Sequence, residues 1–140
     1  MNFEESIEQI KQGFEGEKIV REFLKKQNYP FMQIDVFFEN KKNGKLYVGE
    51  VKAQEKFTKQ PPNYPFDAHG LPPWQITARL KLCERIGARA VFFVYDTEDE
   101  IVYWQFLDLL NNLPPTKRML SKTGKRVLFD IESFNKITNL

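Results

Sequence analysis

The sequence predicts an α/β protein, a single domain with an α-β-β-α-β core in which helices flank a central mixed sheet. Three observations carry this. The 140 residues amount to one domain on the usual prior of roughly 150 residues per domain. Hydrophobic residues at 41% and charged residues at 29% describe a globular chain, too apolar for disorder and too charged for a membrane core. The apolar periodicity also changes along the chain, from helical spacing to strand alternation and back.

Residues 3–27 read as a helix, because Phe3, Ile7, Ile10, Phe14, Val20 and Leu24 recur at spacings of three, four or six. Gly13 and Gly16 each cost about 1 kcal/mol against Ala there, so two helices with a break between them are an open alternative. Asn28, Tyr29 and Pro30 end the helix. Strands follow at 32–39 and 46–53, joined by a hairpin turn with Asn43-Gly44 at its tip. The stretch 57–73 holds five of the eight prolines and reads as a long stiff loop. A helix over 73–86 ends at Gly87. The run Ala90–Tyr95 has the continuous apolar character of a strand buried on both faces. Strand 101–106 comes after an acidic turn. Beyond Pro114-Pro115 a basic loop leads to strand 126–131 and a short terminal helix, a carboxy-terminal extension over 113–140.

Several function classes are excluded early. No run of about 18 apolar residues spans a bilayer, and the acidic, amphipathic N-terminus has no signal-peptide layout, so no membrane partner and a cytoplasmic location are expected. One cysteine, Cys83, forbids an intramolecular disulfide or a cysteine zinc cluster and reads as core filler. One histidine, His69, makes a Ser-His-Asp or Cys-His enzyme improbable, and its place in the proline-rich loop reads as incidental. Metal chemistry would therefore use oxygen ligands, which points to magnesium, manganese or calcium. No phosphate-cradling glycine loop is present.

Strand 46–53 is the informative one. Alternation puts Leu46, Val48, Glu50 and Lys52 on one face, and the first two mark it as the packed face. Charges in such a row need a partner or an ion; a strand end emerging into solvent, or a local Glu-Lys salt bridge, would also account for them. Asp35, an acid inside the apolar strand Ile34–Phe38, is brought alongside by the hairpin, where two nearby carboxylates favour a bound cation. Lys52 adds a positive charge, a combination suited to phosphoryl chemistry. Glu17 sits mid-stripe on the first helix, either capping the core edge or facing a site. Gln75 and Arg79 lie one turn apart on the helix after the loop, either looking inward or forming a polar pair near the helix start.

Asp35, a gap, then Gly49-Glu50-Val51-Lys52-Ala53-Gln54 resembles the PD-(D/E)XK nuclease superfamily. Gly16-Glu17-Lys18-Ile19-Val20 upstream is similar to the first-helix signature before that core, and Gln75 stands where many members carry a glutamine. Tyr64-Pro65-Phe66-Asp67-Ala68-His69 running into Trp74-Gln75-Ile76 looks like a segment of Holliday-junction resolvases of the RecU type. The resemblance spans about residues 14–106; Ile34 replaces the usual proline, and the chain is short for a RecU-type resolvase. It implies a restriction-endonuclease-like fold and a magnesium-dependent deoxyribonuclease (manganese being an alternative) acting in recombination, repair or mobile-element processing. Asp35, Glu50 and the Val51 carbonyl would hold the metal, and Lys52 would position water. Glu17 would support a metal or water, and Gln75 would orient the lysine or the phosphate. The partner would be DNA, branched DNA included, and a homodimer would suit paired-strand cleavage. A non-catalytic DNA-binding or assembly module on the same fold is the alternative.

The net charge of +2 hides a segregation: residues 1–40 carry −3, residues 41–89 carry +6, residues 90–112 carry −5 and residues 113–140 carry +4. Lys41, Lys42, Lys45, Lys56, Lys59 and Arg79 in the +6 segment are candidate DNA contacts. Lys117, Arg118, Lys122, Lys125 and Arg126 form a second patch. Trp74 could pack a helix start or stack on a base.

Overall fold

The computed structural model describes residues 16, 18–28, 34–61 and 64–137. Residues 1–33 and 34–140 are separate compact units. In the first, helix α1 covers 18–26 and ends at Asn28, whose φ of 57° stops it. Of the expected 3–27 helix, residues 3–15 and Glu17 lie outside the described residues.

The second unit holds a five-stranded sheet ordered β1 (Val36–Asn40), β2 (Lys45–Gln54), β4 (Arg89–Asp96), β5 (Ile101–Phe106), β8 (Asn135–Ile137), and a three-stranded sheet ordered β3 (Ala68–Leu71), β7 (Val127–Asp130), β6 (Arg118–Leu120). Strands β1 (Val36–Asn40) and β2 (Lys45–Gln54) form the expected antiparallel hairpin, with Val36 opposite Gly49. Its turn is held by Asn side chains: Asn40 Oδ1 accepts from the Lys42 N–H at 3.0 Å, and Asn43 Oδ1 from the Lys45 N–H at 2.9 Å. Helix α2 (Pro73–Ile86) then carries the chain back so that β4 (Arg89–Asp96) runs parallel to β2. Pro73 is at its start, where a missing N–H costs nothing, and Gly87 ends it at φ 70°. Strand β5 (Ile101–Phe106) returns antiparallel to β4. A five-residue helix, α3 (Leu107–Asn111), was not legible in advance.

Side-chain alternation gives the main sheet two unlike faces. Val48, Ala90, Phe92, Val94 and Tyr103 form the core with Ile76 and Cys83 of α2 and Leu107 and Leu110 of α3. The other face carries aromatics: Phe38 stacks on Tyr47 at 5.2 Å, and Arg89 lies 3.6 Å above the Phe106 ring.

Three expectations are corrected. The stretch 57–73 is not loop throughout, because Ala68–Leu71 form β3, buried along its length and paired with β7 (Val127–Asp130). The strand expected from residue 32 begins at Val36, with Asp35 in a bend before it. The terminal helix is a single three-residue 3-10 turn, Ile131–Ser133, followed by β8 (Asn135–Ile137), which pairs with β5. Residues 113–140 are therefore no appendage: β6 (Arg118–Leu120) and β7 complete the small sheet, and Leu128 and Phe129 are fully buried.

Candidate active site

Glu50 lies at the centre of β2 on the packed face and is 3% exposed. Its charge is met from two directions. Arg79 of α2, itself buried, donates its Nε–H to Glu50 Oε2 at 2.8 Å. Lys52, two residues along the same face and about a quarter exposed, brings Nζ to 3.7 Å from Oε1. The face assignment from alternation holds, and of the explanations open for a buried glutamate, ion pairing within the chain is realised.

Asp35 reaches the same strand from the start of β1. Its Oδ2 accepts a hydrogen bond of 2.9 Å from the Val51 N–H, the peptide that follows Glu50. One step beyond the last paired residues, Val36 and Gly49, the antiparallel register sets Asp35 opposite Glu50. In an extended strand a residue's N–H and C=O point to the same side, so the Val51 carbonyl is also on the edge where Asp35 lies. Gln75 looks inward from the first turn of α2, and its Oε1 is buried with no hydrogen-bond partner among the described residues.

The expected DNA contacts divide. Lys41, Lys42, Lys45 and Lys59 are exposed, the first three at the hairpin turn. Lys56 and Arg79 make ion pairs within the chain. Lys56 is drawn into the acidic turn after β4, pairing with Asp96 at 3.1 Å and with Asp99, and Arg79 is spent on Glu50.

A second buried cluster was missed. His69 is not a loose loop residue: it is 0% exposed in β3, with Nε2 2.9 Å from Asp96 Oδ2 and Nδ1 3.0 Å from Gln54 Oε1. Gln54 also clasps the Gly70 backbone, accepting from its N–H at 3.1 Å and donating to its C=O at 3.3 Å. Burial pushes the His69 imidazole below its usual range, and the Asp96 carboxylate opposes this in part. Asp96 itself is held low: burial alone would raise it, but the Asp99 N–H, His69 and Lys56 outweigh that. Burial would likewise lower Lys56, yet its bonds to Asp99 and Asp96 raise it. The available signal was Gln54, which shares the face of Glu50 and Lys52 by alternation.

Among the described residues no three His, Cys, Asp or Glu side chains gather closely enough to cage a metal. Asp35, before the start of β1, and Glu50 and the Val51 carbonyl in the middle of β2 are nevertheless hard oxygen donors, the chemistry a magnesium ion accepts when water or substrate completes its shell. The donor set fits an ion that would share Glu50 with Arg79. No protein-family model matches the chain, and comparisons with curated proteins and with solved structures return no match.

Proposed function

We propose that this protein is a divalent-metal-dependent DNA endonuclease with a restriction-endonuclease-like core, acting in recombination, repair or mobile-element DNA processing, branched DNA included. The observation that carries the reading is the hairpin constellation: Asp35 bonded to the peptide after Glu50, with Lys52 beside Glu50 on one face. The parallel β2–α2–β4 crossover supports it, since the same helix delivers Gln75 and Arg79 to that face.

Asp35, Glu50 and the Val51 carbonyl would hold magnesium, which when bound lowers the pKa of water and neutralises phosphate charge. Lys52, partly exposed, is the group that can donate to a water or to a developing phosphate oxygen. Gln75 Oε1, with no partner among the described residues, is an acceptor able to orient that ammonium or water. Arg79 acts through Glu50, fixing its rotamer. Glu17 enters only through the resemblance.

Supercoiled plasmid, linear duplex and four-way junction, each offered with magnesium and with a chelator, test the reading. Cleavage is expected only with the metal, and Lys52→Ala should lower it by roughly 10²–10³-fold, the cost of losing one charge-stabilising donor. Asp35→Asn should abolish the magnesium-dependent cleavage. The second reading, a DNA-binding module without catalysis, is favoured by the 2.8 Å Arg79–Glu50 pair, which neutralises the buried carboxylate without a metal. Salt-sensitive DNA binding that ignores both magnesium and Lys52 would select it.

A further inference from the structure

Trp74 is the second residue of α2, and it is 65% exposed in spite of its size. Packing the helix start therefore does not account for it. It lines an open groove of about 610 Å³ with Pro72, Pro73, Gly124, Lys125 and Arg126. The opposite wall is the turn between β6 and β7, whose shape is fixed locally: the Gly124 N–H bonds the Ser121 carbonyl at 2.9 Å, and the Arg126 N–H bonds Ser121 Oγ at 3.2 Å. Arg126 reaches Gly70 C=O at 3.4 Å and ties the turn to β3. Lys122 and Lys125 stand exposed on it, and Lys122 Nζ lies 5.7 Å from the Tyr64 ring centre.

An exposed indole facing Lys125 and Arg126 across a preformed groove, with the exposed Lys122 on the same turn, matches one chemistry well. A flat ring stacks on a nucleobase that has no stacked neighbour on that side, while ammonium groups take the phosphates next to it. A continuous duplex offers phosphates but keeps its base faces covered.

We infer that the groove between Trp74 and the β6–β7 turn binds an unpaired DNA strand, with a base on Trp74 and its phosphates at Lys125 and Lys122. Trp74 stands one residue before Gln75 and five before Arg79, on the helix that serves the Asp35–Glu50 site. The inference rests on the nuclease reading for its choice of DNA as partner. It adds that the substrate presents a frayed, flapped or branched region rather than plain duplex.

The test is binding to the full chain in chelator, so that no cleavage is needed and a failed nuclease assay leaves the result readable. Fluorescein-labelled single-stranded DNA, the same strand with abasic sites, and the matching duplex are titrated by anisotropy while tryptophan emission is followed. The intact single strand is expected to bind tightest and to quench emission. Trp74→Ala should weaken single-strand binding by roughly tenfold, within the range for losing one base–aromatic stack, and Trp74→Phe should retain much of it. Lys122→Ala with Lys125→Ala should reduce the slope of log affinity on log salt by about 0.7 per lysine. Both sets of side chains are exposed, so these variants keep the fold, and circular dichroism checks it. Equal binding of the abasic strand, preference for duplex, or an unchanged affinity in Trp74→Ala would each overturn the inference.

Discussion

At Glu50 a carboxylate has left water and been given two cations in exchange. Arg79→Ala takes the nearer cation from this buried carboxylate and is expected to cost roughly 3–5 kcal/mol in urea unfolding, whereas Arg79→Met combined with Glu50→Leu should recover part of that. An equal loss in the single and double variants would show that Arg79 matters through packing alone. His69 makes a prediction in pH. Its two ring nitrogens face acceptors and so favour a second proton, but burial outweighs them and holds the group below 6.5. The unfolded chain then binds more protons, so the stability His69 contributes is full above about 6.5 and falls as pH drops through it. Asp96, held below 3.8, keeps its contribution until the pH falls lower still. Urea midpoints measured on either side of 6.5 should decline on acidification, and His69→Gln should flatten that decline. The residues differ in how far the sequence betrays them. Glu50 and Lys52 were legible because a strand's period of two sets charges against an apolar row, and Asp35 because it is an acid among Ile34, Val36, Phe37 and Phe38. The partner of Glu50 was not, because helical spacing gives the face of Arg79 but not what it meets across the core. His69 was illegible for a related reason: its neighbours lie 15 and 27 residues away in sequence.

Elements bounded by stereochemistry were readable, and elements bounded by pairing were not. α2 has the expected limits because proline opens it and a left-handed glycine closes it. β4 and β5 fall within a residue of expectation, since a long apolar run and an acidic turn delimit them. β3 and β8 have four and three residues and no pattern of their own; their extension is imposed by β7 and β5. Gly70 is how β3 fits. A Cβ there would sit 2.3 Å from the Val127 carbonyl oxygen and 2.8 Å from Leu128 Cδ2, and the first of these is backbone that cannot step aside. Gly70→Ala should therefore destabilise the protein by about 1–3 kcal/mol or more, the range for overpacking, and should loosen the Gln54 clasp. Thermal unfolding reads the first effect. Exchange of the Gly70-neighbouring amides reads the second, and unchanged protection there would separate packing from the clasp.

Across the whole molecule, β2 is the strand on which everything converges. It pairs with β1 through a local turn and with β4 only after α2 has been laid down, so the Glu50–Arg79 pair awaits a long-range closure. The segregated charge has a place in this arrangement. The exposed lysines of the β1–β2 turn and those of the β6–β7 turn belong to the two positive segments, while the acidic stretch turns inward at Asp96 to hold Lys56 and His69. The short strand β8 has a consequence of a different kind. It occupies the hydrogen-bonding edge of β5, whose sequence Ile101–Phe106 contains one polar residue, Gln105, and no charge or proline. Without it, that edge becomes a template for pairing with another chain, the starting geometry of cross-β growth. Deleting residues 135–140 while retaining the buried Phe134 should leave a folded protein that self-associates, seen as light scattering that rises with concentration. A deleted protein that stays monomeric would assign the protection to another part of the chain. Three residues that add almost nothing to the core would then be a solubility device, keeping the sheet from recruiting its own copies.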